Sequence, residues 1–232
     1  MTENANLDAR LQFMRLDVRA ADELRGVKSL IMSALPGALD RFYGQVAATA
    51  QTRGFFARSG TMESAKQRQL AHWERISSGQ FDDGYVDAVT RVGRTHARIG
   101  LEPRWYIGGY ALVLEALIAA VVEARWPKSG FGGRRDGGAR RLAAELGALA
   151  KATLLDIDYS ISVYLEAAEA ARLEAEAEIL KRERATVVEH VGRGLAALAE
   201  GDLTHRLAAG LPDEYRQIQA DYNAAMEKLG ET

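Results

Sequence analysis

A stretch of more than fifty residues, from Ala139 to Gly192, contains neither proline nor a Gly–Gly pair. Proline and paired glycines commonly end helices, so their absence predicts one very long helix. The rest of the chain fits the same class, because alanine, the best helix former, is its commonest residue, with 40 of 232, and proline occurs only 4 times. The sequence therefore predicts an all-α fold.

Composition excludes several kinds of function. The chain has no cysteine, which excludes disulfides, iron–sulfur clusters and cysteine nucleophiles. A bound metal must therefore use histidine, carboxylates or tyrosine, and there are only 4 histidines. Its net charge of −2 argues against nucleic acid as a partner. The first residues lack the pattern of a signal peptide, and the apolar stretch from Tyr110 to Val122 is shorter than the roughly 20 residues that a bilayer span needs. We therefore expect a cytoplasmic protein without a transmembrane segment.

Breaks divide the first 138 residues into several helices of ordinary length. Pro36 and Pro103 stand where new helices are predicted to begin, because the first turn of a helix does not use the N–H group that proline lacks. Gly79 and the Ser59–Gly60 pair are predicted to lie between helices, and residues 129–138 to form a loop.

The apolar pattern of the long helix changes near Leu165. Downstream, only Leu173, Leu180 and Val187 recur, every seven residues, which is typical of a coiled-coil stalk. Two short helices then follow, joined by a connector, and their narrow apolar stripes must pair with a second copy. Upstream of Leu165 the predicted core face is broad and comprises Leu142, Leu146, Leu149, Leu154, Ile157, Ile161 and Tyr164.

His96 is the histidine with the most informative surroundings. It ends a predicted helix, and the following turn brings Trp105 and Tyr106 close to it. A lone histidine in such a place usually bonds a nearby carbonyl or carboxylate, and nearby aromatic residues are usually core. A neutral imidazole on the wall of an apolar helical pocket is also what a heme iron needs on its proximal side. His72, in contrast, is expected on a surface-facing turn.

The run HARIGLEPRWYIGGY, residues 96–110, resembles the proximal-helix signature of globin-coupled sensors, heme-based bacterial oxygen sensors that include aerotaxis transducers. The resemblance covers about residues 20–165 and implies a globin-like fold with heme b (iron protoporphyrin IX). It makes His96 the iron ligand and Tyr43 the distal residue that hydrogen-bonds bound O₂. The upstream segments that match in order are LPGALDRFYGQV (35–46), FF (55–56), KQRQLAHW (66–73) and SGQFDDGY (78–85).

Further residues are assigned to the cofactor by the same resemblance. Tyr106 is expected beside the proximal imidazole and Trp105 under the same turn, and Phe42 is counted among the cofactor-binding residues. A second distal polar group is expected from the helix that contains residues 66–73. The spacing of apolar residues on that helix points Gln69 toward the interior, whereas Arg68 occupies the family-equivalent position. Both alternatives stay open.

The last part of the chain resembles a HAMP domain, the two-helix relay of chemoreceptors and sensor kinases. The resemblance is carried by the GDL run at 201–203, by Glu214 and by Asn223. Gly201 is expected to cap the first helix in the left-handed conformation, and Asp213 or Glu214 to cap the second. The relay is expected to form a parallel four-helix bundle in a homodimer.

Taken together, these resemblances predict a gas sensor and not an enzyme. Residues 1–167 are predicted to form a globin-like heme sensor with an N-terminal extension, 168–184 a coiled-coil linker and 185–232 the relay. The sensor is expected to bind O₂, or CO or NO in its place, and to signal to an output domain absent from this chain. The expected output is chemotaxis (aerotaxis) through a chemotaxis kinase.

Alternatives to this prediction differ in class. An O₂-regulated kinase or a diguanylate cyclase is a different output for the same sensor. A heme enzyme that turns over O₂, NO or peroxide is the main competing function, although a stand-alone catalyst does not need a relay. The third alternative is a helical dimer that binds no heme.

Overall fold

The structure is a computed structural model that describes residues 3–56, 61–126, 135–207 and 211–231. All regular secondary structure in these ranges is helical, which confirms the all-α class, and short 3₁₀ turns lie at Arg53–Phe56 and Asp213–Tyr215. The chain divides into unit 1, Met1–Ala168, and unit 2, Glu169–Thr232. The helices are α1 (Glu3–Met14), α2 (Val18–Ala48), α3 (Thr61–Ser77), α4 (Asp83–Ile99), α5 (Pro103–Arg125), α6 (Arg135–Ala199) and α7 (Arg216–Gly230).

Helix α2 runs through Pro36 without a break, so the helix start predicted at this proline is wrong. The helix begins instead after Asp17, whose side chain accepts a hydrogen bond from the Ala20 N–H at 2.9 Å. Pro36 itself is exposed, while Leu35 and Leu39 beside it are fully buried. Packing of this apolar face against the core therefore outweighs the one backbone hydrogen bond that the proline removes.

Two glycines allow helices of unit 1 to approach closely. A Cβ atom at Gly109 of α5 would lie 2.6 Å from Cε2 of Phe42 on α2. A Cβ atom at Gly93 of α4 would lie 2.9 Å from Cβ of Val163 and 3.0 Å from the carbonyl oxygen of Ser160, both on α6. No side chain larger than hydrogen fits at the second position without moving one of these two helices.

Helix α5 is more apolar than the sequence analysis allowed for. It has 23 residues and a mean hydropathy of 1.8 in its most apolar window, which makes it, among the described helices, the one long and apolar enough to cross a membrane. The expectation that this segment is too short is therefore wrong. One side of α5 lies in the core, with Tyr110, Val113, Leu117 and Val121 buried. A core helix passes the same test, so this composition is weak evidence for a membrane span.

The buried face of α6 in unit 1 differs from the predicted one. Leu154, assigned to the core, is 55% exposed, and Ile157 and Ile161 are only partly buried. The buried stripe contains four polar residues, so a pattern of apolar residues alone does not show it. It consists of Leu142, Glu145, Ala148, Leu149, Ala152, Thr153, Leu155, Asp156, Tyr159 and Ser160.

The two helical segments of unit 2 are held together through the connector. Gly201 has a φ of 78°, which confirms the predicted left-handed cap after α6. The Asn223 amide bonds both backbone groups of Leu207: its Oδ1 accepts from the N–H at 2.9 Å and its Nδ2 donates to the carbonyl at 3.3 Å. No side-chain cap forms at the start of α7, so the capping role predicted for Asp213 or Glu214 is wrong.

Gly93→Ala should lower the free energy of unfolding of unit 1 by about 1–3 kcal/mol, because the added methyl group overpacks the contact between α4 and α6. Gly44→Ala is the matched control, since a Cβ atom at this exposed position of α2 has no atom within 4 Å. The control should raise stability by up to about 1 kcal/mol. Urea unfolding followed by tryptophan fluorescence measures both, because all 3 tryptophans lie in unit 1. Equal stabilities for the two variants would contradict the close contact.

Candidate functional site

The end of α4 and the start of α5 form a compact corner around His96. Gly100 caps α4 in the left-handed conformation, with φ 73°, and the Leu101 N–H donates to the His96 carbonyl at 2.9 Å. Pro103 then opens α5 at a position that needs no N–H donor. As a result the rings of His96 and Tyr106 lie 4.7 Å apart between centroids.

The His96 imidazole is kept neutral by its surroundings. Burial lowers its pKa to about 4, and the negative charge of Asp156 opposes this shift only in part. A neutral imidazole has a free lone pair on one ring nitrogen, which a metal ion can use. Protonation therefore does not compete with metal binding at this histidine near neutral pH.

Tyr43 lies on α2 in a second aromatic cluster. Its ring centroid is 4.8 Å from that of Phe42 and 5.6 Å from that of Phe56. Burial raises the pKa of Tyr43 to about 12, although the positive charge of Arg68 opposes the shift. The hydroxyl is thus a neutral phenol that can donate a hydrogen bond.

Gln69 of α3 has a polar atom that the described residues do not satisfy. Its Oε1 is buried and accepts no hydrogen bond from them. Such an atom is uncommon in a folded protein and indicates a group or molecule that completes the site. Arg68 is exposed, but its charge acts on Tyr43, so both candidates for the second distal group lie on α3.

The residues assigned from the sequence therefore fall into separate groups. His96 contacts Tyr106 in one group, and Tyr43 contacts Phe42 in another. Trp105 is half-buried at the start of α5, and its backbone N–H donates to the Glu102 carbonyl at 3.0 Å. The ligand-binding roles of these residues remain predictions.

Asp156 of α6 is the centre of a buried polar network that the sequence analysis did not find. Its side chain has no exposed surface. Oδ1 accepts from His72 Nε2 at 2.8 Å and from the Tyr85 hydroxyl at 3.2 Å. Oδ2 accepts from the Tyr106 hydroxyl at 3.3 Å and from the Tyr110 hydroxyl. We call these five residues, with Ser160, the Asp156 network.

The network joins four helices of unit 1. Its donors come from α3, α4 and α5, and its acceptor is on α6. A carboxylate has about four acceptor positions, and four donors fill them here. Burial, and then the charge of Asp156, raises the pKa of Tyr106 and of Tyr110 well above the usual value, so both hydroxyls keep their protons.

His72 corrects one expectation directly. Its side chain is only 8% exposed and bonds Asp156, so its predicted place on a surface-facing turn is wrong. One signal in the sequence could have revealed the network. Asp156 lies at helical spacing from Leu149 and Ala152, on the same face of α6, and a charged residue on a buried face needs hydrogen-bond partners.

Residues 3–170 of the chain match the Protoglobin family. The chain belongs to this family. A solved structure, the globin domain of a globin-coupled sensor from Geobacter sulfurreducens, has the same fold: it covers 68% of this chain and 96% of its own, with a TM-score of 0.58 and 16% identity. The corner at His96 and the Asp156 network thus both lie within the protoglobin domain.

Curated relatives match different lengths of the chain. The heme-based aerotactic transducer HemAT of Halobacterium salinarum is 25% identical over 122 residues, which is 52% of this chain and 25% of that protein. The chemoreceptor McpA of Caulobacter vibrioides is 47% identical over 51 residues, 22% of this chain and 8% of that protein. The matches confirm the resemblance to globin-coupled sensors, and the chain spans a quarter or less of these relatives.

Proposed function

We propose that this protein is a heme-based gas sensor whose protoglobin domain signals through α6 and unit 2. The observation that carries the proposal is the partly buried, neutral imidazole of His96 at the corner of α4 and α5 in a chain of this family. The relative HemAT is described as a heme-based aerotactic transducer, which supports the same function here. Heme, when bound, supplies an iron that takes one protein ligand and leaves a position open for a diatomic gas.

The residues present fit this group on both sides. His96 would hold the iron, since it is a neutral nitrogen ligand that needs no deprotonation. Tyr106 would pack beside the imidazole and restrict its rotation, because the two rings are in contact. The unsatisfied Gln69 Oε1 fits a site that a further molecule completes.

Tyr43 would bind the gas on the other side. As a buried neutral phenol it would donate a hydrogen bond, and such a donor would favour a gas ligand that carries partial negative charge. We propose Gln69 or Arg68 as the second group that sets gas affinity. The physiological gas is proposed to be O₂, with CO and NO as further ligands of heme b.

Signalling is proposed to pass to a chemotaxis output rather than to a catalytic reaction of this chain. The similarity to the chemoreceptor McpA supports this direction. In unit 2, the Asn223–Leu207 contacts and the buried side chains of Leu207, Leu211 and Met226 support the HAMP-like assignment of 185–232. A continuous α6, Arg135–Ala199, belongs to both units and is the covalent route between them.

His96→Gly should remove the protein's iron ligand and lower heme content, because the variant lacks the nitrogen ligand at the α4–α5 corner. Added imidazole should restore a five-coordinate imidazole spectrum, since the deletion leaves a space of its own size. Absorption spectra and heme quantitation of the purified chain test this, with His190→Gly as a control that removes a partly buried histidine of unit 2. Wild-type heme content and spectrum in His96→Gly would contradict the assignment.

Tyr43→Phe should keep heme but release O₂ roughly ten- to a hundred-fold faster, because a hydrogen bond to a charge-polarised ligand is worth about 1.5–3 kcal/mol. Stopped-flow dissociation measures the rate. Tyr164→Phe is the control, since it removes the hydroxyl of a partly buried tyrosine on α6. If the Tyr43 variant keeps the wild-type rate, Gln69→Leu and Arg68→Leu decide which residue of α3 has the distal role.

The protein should be a parallel homodimer, because single-chain packing leaves apolar surface on α5 and α6. Leu112 is 41% exposed, Leu154 55%, Leu173 52% and Leu180 45%. A second copy packed against these side chains would remove the exposed apolar surface of both units from water. Sedimentation at micromolar concentration should show a dimer that is weakened but kept after removal of 168–232. A monomeric full-length chain would contradict the dimer and the proposed route.

A further inference from the structure

The Tyr106 hydroxyl is held by two residues one turn apart on α6. We propose that Asp156 is a positioning residue for the proximal side of the site: with Ser160 it fixes Tyr106, whose ring faces His96, and so couples the His96 ring to α6. This inference rests on the proposed function and adds to it a specific contact that links the proximal histidine to the helix shared by both units.

The hydrogen bonds around Tyr106 have one consistent direction. Its hydroxyl donates to Asp156 Oδ2 at 3.3 Å, because a carboxylate can only accept. The Ser160 hydroxyl, 2.8 Å away, then donates to the Tyr106 oxygen. The phenol oxygen is thus placed by a donor and an acceptor that both belong to α6, and the orientation of its ring against His96 follows from them.

A steric contact independently joins α4 to α6 at the same level. Gly93 lies one turn before His96, and its α carbon faces the Ser160 carbonyl and the Val163 side chain. A Cβ atom there would be only 2.9 Å from Val163 Cβ. The helix that carries His96 therefore cannot move toward α6 without displacing it, and the residue contacted is the one that holds Tyr106.

The network also bonds α3, α4 and α5 to α6. His72 of α3, Tyr85 of α4 and Tyr110 of α5 share the one acceptor with Tyr106. The rings of Tyr106 and Tyr110 are 4.8 Å apart, and Trp73 of α3 stacks on Tyr110 at 5.7 Å. A shift of α6 relative to any of these helices leaves a buried polar group without a partner, which favours discrete arrangements over gradual displacement.

Asp156→Asn tests the inference in the full-length, heme-loaded protein. The amide is nearly isosteric, but one acceptor oxygen becomes an NH₂ group, so two of the four donors lose their acceptor. We expect heme and CO binding to persist and the iron–histidine stretching band of the ferrous protein to shift in resonance Raman spectra. Asp158→Asn is the matched control on the same helix, since Asp158 is partly exposed and pairs with Arg10 outside the network.

Hydrogen–deuterium exchange provides a readout that a purely structural role would not change. In the unchanged protein, exchange of residues 150–165 should differ between the CO-bound and gas-free ferrous states. Asp156→Asn should lose most of that difference, whereas Asp158→Asn should keep it. A purely structural role would raise exchange equally in both states.

Ser160→Ala gives a second, milder test if Asp156→Asn fails to fold, because it removes only the donor to Tyr106 and should move both readouts in the same direction. Unchanged Raman bands and an unchanged CO-dependent exchange difference in the variants would overturn the positioning role alone. Absence of heme uptake or CO binding by the unchanged protein would overturn the proposed function, and this inference with it.

Discussion

A carboxylate that is removed from water must be given hydrogen bonds, and the interior of unit 1 is arranged around this requirement. Transfer of a carboxylate into a protein interior costs several kcal/mol even after relaxation, unless its lone pairs are satisfied. Asp156 has no exposed surface, and its partners come from three other helices. The same charge acts on His96, where it opposes the effect of burial, but burial dominates because the pKa of that imidazole is still lowered to about 4.

The parts of the fold and site that sequence reasoning found are those set by short stretches of chain. Gly100 and Pro103 define the corner that brings Tyr106 to His96, and both act within a few residues. The contact between His72 and Asp156 spans 84 residues, and no local pattern indicates it. The helical phase of Asp156 was a clue, but a prediction from apolar residues alone misses a buried stripe that polar side chains interrupt. Pro36 shows the opposite error, since a local helix-start signal was outweighed by packing.

The predicted core face of α6 was misplaced in an informative way. Leu154 is more than half exposed, while Glu145 and Asp156 are buried. Apolar periodicity indicates which residues avoid water, and it cannot distinguish the core of one chain from the contact between two chains. The wide apolar pattern is explained if α6 has two faces, one that packs within unit 1 and one that a second copy covers. The exposed Ile107 and Leu112 on α5 fit the same explanation.

The placement of the single acceptor on α6 gives this helix a different role from its neighbours. Removing one donor leaves three other hydrogen bonds to Asp156, whereas moving the acceptor disturbs all four. The position of α6 therefore affects hydrogen bonds from α3, α4 and α5 at the same time. Because the four acceptor positions of the carboxylate are filled, a displacement of α6 forms no new bond to Asp156 and must lengthen or break existing ones. A network of this kind favours a change between two packed arrangements over continuous deformation, as switching within a tightly packed core requires.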